Sequence, residues 1–248
     1  MQASKDLFVV SSALMTSYGL LPTQERVEQT LQTLASIRKH APEADIVVLE
    51  LSRERIPEDY EALFAPYQPK HIVHFANEPT IKRHYEQCSV THDPVGNQIK
   101  NLNEIAAMQV FLEWGIQQHY FAPYRRVFKL SGRYQLCEPF DLAMYQNPIF
   151  TGRCAFLRID GQSFDTKLSG CMPYLYVTRL WSFDVALVAK VATWFEVMLQ
   201  MLLKRYQLDG YTDIEHLLAL VVPPKYCVYV KTLGVKGQVG LDGKYVQE

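Results

Sequence analysis

The chain lacks any surplus of positive charge: Lys and Arg number 25 against 26 Asp and Glu over 248 residues. That removes the broad basic field of a dedicated nucleic-acid binder. It also lacks a CxxC pair, and its five cysteines, Cys88, Cys137, Cys154, Cys171 and Cys227, are scattered and odd in number. Neither a clustered zinc site nor a disulfide framework follows, so reduced and mostly buried thiols are expected. GxGxxG, GxxxxGK followed by Ser or Thr, HExxH and GxSxG are all missing. Their absence argues against the familiar dinucleotide, P-loop, zincin and hydrolase-elbow chemistries. The longest apolar stretch, residues 185–203, is interrupted by Lys190, Glu196 and Gln200. Charges in mid-span cost about 2.5–3.5 kcal/mol each, so a mostly buried helix is expected there rather than a membrane span. No basic leader precedes the short apolar run 8–10, and a cytoplasmic protein is expected, with attachment to the inner face of a membrane left open.

What is present is a regular alternation of elements. Residues 6–10 (DLFVV) form a β-run followed by a polar loop, and Val27, Leu31, Leu34 and Ile37 recur at helical spacing within 23–40. Pro42 closes that helix, and 44–51 (ADIVVLEL) is a second strand. Strand, helix and strand within fifty residues make a βαβ unit, which implies a parallel sheet. Residues 71–75 predict a third strand, and the polar stretch 77–100 a long loop. A helix capped by Asn101, with Glu104 as its capping partner, carries Ile105, Met108, Leu112 and Ile116 on one face. Further β-runs at 126–130, 149–159 and 173–180, helices at 138–145, from 184 to about 206 and at 213–222, and a tail hairpin turning at Asp242-Gly243 complete the reading. No linker or repeat stands out, so one domain is expected over 1–248.

The segment 125–142, RRVFKLSGRYQLCEPFDL, is the most informative. A buried strand running into a polar turn delivers Lys129 to Tyr134 to the carboxyl edge of a parallel sheet, where ligands of open α/β sheets bind. Here the sequence resembles the GT-A class of nucleotide-sugar glycosyltransferases. The resemblance covers the order and length of elements over most of the chain. It implies an α/β, Rossmann-like GT-A fold with a mostly parallel central sheet flanked by helices. It also implies a nucleotide-binding half over 1–135 and an acceptor-side half over 136–248. Where the family carries an acidic DxD motif for a divalent metal, this chain has Ser131, Gly132 and Arg133. A guanidinium forks onto a diphosphate directly, so metal-independent donor binding is physically reasonable. Lys129, Ser131 and Tyr134 would surround the diphosphate, and Gly132 would permit close backbone approach. The bland counterpart is an Arg133–Glu138 pair with Lys129 as a solvated strand residue.

By the same resemblance, Asp213 or Glu215, at the start of a late helix and close to His216, is the base that deprotonates an acceptor hydroxyl. Capping explains both carboxylates equally well. Ser11 and Ser12 after the first strand and Glu50 at the end of the second stand where a nucleoside is met. Lys100 and Asn103, at the start of the helix before the SGRY strand, suit phosphate, although Asn101 and Glu104 already explain that pattern as capping. Mg or Mn, if used, would find its hard oxygen ligands at Asp160 and Asp165. Tyr174, Tyr176, Arg179 and Trp181 form an aromatic strand suited to a sugar acceptor. The expected partners are a nucleotide-sugar donor and a glycan or lipid-linked acceptor, with peripheral membrane association open and no nucleic acid. The alternatives are a nucleotidyltransferase or sugar-phosphate enzyme, and a non-catalytic GT-A-like binding module.

Overall fold

The computed structural model describes residues 5–16, 21–52, 54–87, 97–161, 172, 174–208, 210–239 and 244–248. In chain order the first strands are β1 (Lys5–Ser12), β2 (Asp45–Glu50), β3 (His71–His74), β4 (Tyr124–Ser131) and β5 (Tyr134–Leu136). They are followed by β6 (Cys154–Asp160), β7 (Tyr174–Asp184), β8 (Cys227–Tyr229), β9 (Val235–Gln238) and β10 (Tyr245–Gln247). The helices are α1 (Thr23–His40), α2 (Glu58–Ala62), α3 (Pro79–Gln87), α4 (Asn97–Gln117), α5 (Val188–Gln207) and α6 (Ile214–Val221).

A seven-stranded sheet runs in the order β3-β2-β1-β4-β7-β6-β8. β7 is antiparallel to both its neighbours, and every other pairing is parallel. The mostly parallel α/β architecture read from the sequence is therefore present. Central parallel strands are covered on both faces and need no polar alternation, which is why DLFVV is unbroken. Its pleat sends Leu7 and Val9 into one core with Val47, Leu49 and Val127, and Phe8 and Val10 into another with Ile46, Val48 and Phe128. α1 covers the second face with Val27, Leu34 and Ile37. α4, α5 and α6 cover the first with Ile105, Phe195 and Leu217 among others. A smaller antiparallel sheet, β10-β9-β5, leans on α1, where the Leu136 amide donates to Ser36 Oγ at 2.9 Å.

Two stretches depart from expectation, and the long apolar one forms the helix expected of it. The stretch 77–100 holds α3 and the first turn of α4, so Asn101 lies inside α4 rather than capping it. Its Oδ1 instead accepts the Ile214 amide at 3.5 Å, tying α4 to the start of α6. Residues 138–145 give no α-helix; 3-10 turns at Leu142–Gln146 and Pro148–Phe150 stand there. Pro148 forces Asn147 out of the helical region, to ψ 134°, which cuts the run. The apolar stretch 185–207 is long and apolar enough to cross a membrane. Here it forms a core helix that buries Val191, Phe195, Met198 and Leu202 and turns Lys190, Thr193, Glu196, Gln200 and Lys204 outward.

One irregularity shapes the carboxyl edge. On β6 a single residue, Phe156, separates Ala155 from Leu157, whereas their partners Ser182 and Val177 on β7 are separated by residues 178–181. The extra length bulges β7 at Thr178 and Arg179, just beyond the Leu130–Leu180 pair that ends its contact with β4. Such bulges re-aim side chains beside functional sites.

Candidate active site

The chain winds from β1 to β2 on one side and returns across to β4 on the other, so the strand order reverses between β1 and β4, which stay paired as far as Ser11 and Ser131 while the connections beyond them diverge. An open α/β sheet binds ligands in that crevice. A pocket of about 140 Å³ opens at the carboxyl end of β4, between α4, the bulged β7 and the start of α6. It brings together Lys100, Ser131, Arg133, Tyr134, Asp213 and Glu215, six of the residues singled out from sequence. They arrive from α4, the β4–β5 turn and the start of α6.

The remaining candidates lie around the pocket rather than in its lining. Lys129 is buried beneath the floor in direct contact with Glu104 Oε1, and Ser11 Oγ donates to the same oxygen at 3.3 Å. Burial, then the charges of Lys100 and Arg133, draws the Lys129 amine below its ordinary range. The Glu215 charge opposes that pull. Gly132 makes a close approach, but to protein: its amide donates to Ser11 O at 2.8 Å, and an added Cβ would stand 3.0 Å from that oxygen and 3.3 Å from Thr30 Oγ1. Ser12 Oγ pairs with Thr30 Oγ1 at 3.3 Å and pins β1 to α1. Glu50 Oε1 accepts the amides of Leu14 at 3.1 Å and Ser52 at 3.0 Å, together with the Ser52 hydroxyl, which fastens the loops after β1 and β2. Asn103 is buried in α4 and does not line the pocket. Arg133 forms no ion pair with Glu138, which pairs with Lys39 at 3.5 Å on the exposed surface.

Within the pocket the two carboxylates are held differently. Asp213 caps α6: its Oδ1 accepts the His216 amide at 3.0 Å and meets His216 Nδ1, on a fully buried ring, at 2.5 Å. Glu215 Oε1 accepts from Thr178 N at 3.4 Å and Thr178 Oγ1 at 3.3 Å. Burial, then the charge of Asp213, raises its carboxyl, and Lys100, Arg179 and the Thr178 amide only partly offset this. Lys100 is an exposed residue at the mouth of the pocket, and its amine lies among the charged groups that line it. Burial, then the Arg133 charge, brings its amine down to about 8. Burial, joined by the Arg179 charge, also pulls Arg133 below its ordinary range while Tyr134 opposes.

Sequence reasoning missed the parts that support these groups. Glu104, which lines the pocket, is the counter-ion of Lys129 beneath it, Thr178 is the anchor of Glu215, and Glu248 pairs with Arg179. A glutamate one turn from Lys100 and a Thr-Arg dipeptide were visible, but α4 brings the first to the pocket and the β7 bulge the second only once the chain has folded. Of the aromatic strand proposed for an acceptor, Arg179 lines the pocket, whereas Tyr176 and Trp181 stack with Phe156 in the core.

The donor set does not suit a divalent ion. Hard cations need several oxygen ligands, yet the β4 end offers Ser131 and Arg133, and Glu104, Asp213 and Glu215 are already engaged. No metal-holding group of three His, Cys, Asp or Glu occurs among the described residues. Of the pair Asp160 and Asp165, Asp160 ends β6 and Asp165 lies outside the described residues.

No protein-family model matches the chain, and no curated protein sequence does. Solved structures do. Core-mannan synthase A (CmsA/Ktr4) from Aspergillus fumigatus, in its Mn/GDP form, matches with a TM-score of 0.52 at 7% identity, over 94% of this chain and 73% of that one. The mannosyltransferase Ktr4p from S. cerevisiae matches with a TM-score of 0.53 at 8% identity, over 92% and 69%. The chain has the GT-A glycosyltransferase fold. The pocket lies at the sheet edge where the sequence reading expected a donor, and Lys100, Arg133 and Arg179 are among its lining.

Proposed function

We propose that the protein is a glycosyltransferase that moves a sugar from a nucleotide-sugar donor onto a glycan or lipid-linked acceptor. The observation that carries this reading is one pocket holding Arg133 and Lys100 opposite Asp213 and Glu215. Arg133 and Lys100 neutralise the donor diphosphate and meet the charge that grows on it as it leaves, a role for preset cations. This replaces metal in donor binding. Glu215 takes the acceptor proton. Asp213 is committed to His216 and the helix cap, while the raised carboxyl of Glu215 brings it closer to the working pH of a base. The acceptor oxygen then bonds to the anomeric carbon as the carbon–oxygen bond to the diphosphate breaks. The electron pair goes to the departing nucleoside diphosphate, and the anomeric centre inverts.

The test is a thermal-shift panel of nucleoside diphosphates and nucleotide sugars, GDP forms included, with EDTA or with Mn. A ligand at 100 times its Kd adds about 2.7 kcal/mol of stability, a shift of several degrees. A shift that survives EDTA and is lost in Arg133→Ala supports the reading. A shift that needs Mn overturns metal-independent binding, and none with any nucleotide favours a binding module on the same fold.

A further inference from the structure

The pocket holds a cation that the donor diphosphate does not need. Arg179 is turned inward by the β7 bulge, with its guanidinium 5.5 Å from the centre of the Tyr134 ring. Its Nη1 meets Glu248 Oε1 at 2.5 Å. The pairing is one-pronged, although an arginine and a carboxylate can form a two-pronged fork. Arg179 Nε and Glu248 Oε2 are both buried without a hydrogen-bond partner among the described residues. The side chains are 19% and 18% exposed, and of the two Arg179 lines the pocket while Glu248 stands behind it. Glu248 follows β10, a three-residue edge strand, and is held to Val235 by backbone bonds of 2.8 and 2.9 Å. Withdrawing it disturbs one short edge of the small sheet.

We propose that Arg179 is a third anion subsite, filled in the free protein by the Glu248 carboxylate and taken over by an oxyanion of the substrate. The proposal rests on the reading of the pocket as a transferase site. Two sources share the required chemistry. Arg179 faces the Arg133 charge, which suits a donor phosphate, and it adjoins Thr178, the anchor of Glu215, which suits an acidic acceptor sugar. Removing the internal carboxylate frees the subsite, and apparent affinity rises by the inverse of the fraction that was free.

The test is calorimetric titration of the full chain with inorganic pyrophosphate and, separately, with glucuronate. Glu248→Gln keeps the shape of the side chain and is expected to bind one of them about tenfold more tightly. Gain with pyrophosphate assigns the subsite to the donor, and gain with glucuronate assigns it to the acceptor. The double variant Arg179→Gln/Glu248→Gln is expected to lose that gain. No gain with either probe, or a gain that persists without Arg179, overturns the proposal. The underlying reading fails separately: Arg133→Ala and Lys100→Ala would then leave pyrophosphate binding unchanged.

Discussion

Two ion pairs flank the pocket, each joining a cation on a sheet strand to a glutamate from elsewhere in the chain. Lys129 and Glu104 are sealed, with side chains 3% and 10% exposed, and Ser11 holds the same carboxylate. Arg179 and Glu248 are one-pronged, more exposed at 19% and 18%, and carried on one side by an edge strand. Burial makes the first pair costly to break and therefore part of the framework. Partial solvation makes the second cheap to exchange and therefore suited to a ligand. The charged groups facing the cavity belong with the second kind.

The largest effect expected from breaking this contrast is in Lys129→Met, which strands Glu104 without its counter-ion. Loss of about 3–5 kcal/mol is expected in urea unfolding, against a smaller loss for Arg179→Gln, whose partner Glu248 is more exposed than Glu104. Equal losses would erase the distinction between the pairs. Next, Glu215→Gln should lower turnover by about 10²–10⁴-fold at unchanged donor affinity. The acid limb of the rate profile, which should lie above the ordinary carboxylate range, should vanish with it. Arg133→Ala should cost about 10²–10³-fold in turnover with little change in the unfolding midpoint. A matching loss of stability would move Arg133 into the framework group. Pyrophosphate affinity should fall as pH rises through about 8, where Lys100 loses its proton, and Lys100→Arg should flatten that slope.

The smallest effect is on stability. The Glu215 carboxyl is raised in the folded chain, so the native state holds its proton more tightly than the unfolded state. Stability is therefore lost as pH rises from the unfolded value through the folded one, and the cost is fully present at neutral pH. Glu215→Gln should melt higher than the parent at neutral pH and alike below the unfolded value of about 4.3. Thermal melts across pH decide it.

The same contrast explains what could be read in the sequence. α1 emerged with its observed limits because Val27, Leu34 and Ile37 pack on one face and Pro42 follows. β1, β2 and β4 were legible because a strand covered on both faces is apolar at every position. The cations at the β4 end and the carboxylates beside α6 were legible as residues, since strand ends and helix starts have recognisable sequences. The partners were not. Ser11, Glu104 and Lys129 converge across separate elements, and so do Thr178 with Glu215 and Arg179 with Glu248. Asn101 misled for the same reason. A cap residue reads locally, yet its side chain serves α6 across the core.

The carboxylate side of the pocket hangs on α6, an eight-residue helix docked through Ile214, Leu217 and Leu218. The cations sit on longer elements, α4 and the end of β4. Short helices at the edge of a core open more readily than central strands. Were α6 to swing out, Lys100 and Arg133 would stay in place to meet an anion while both carboxylates left, so the two charges of the pocket rest on separate elements of one chain.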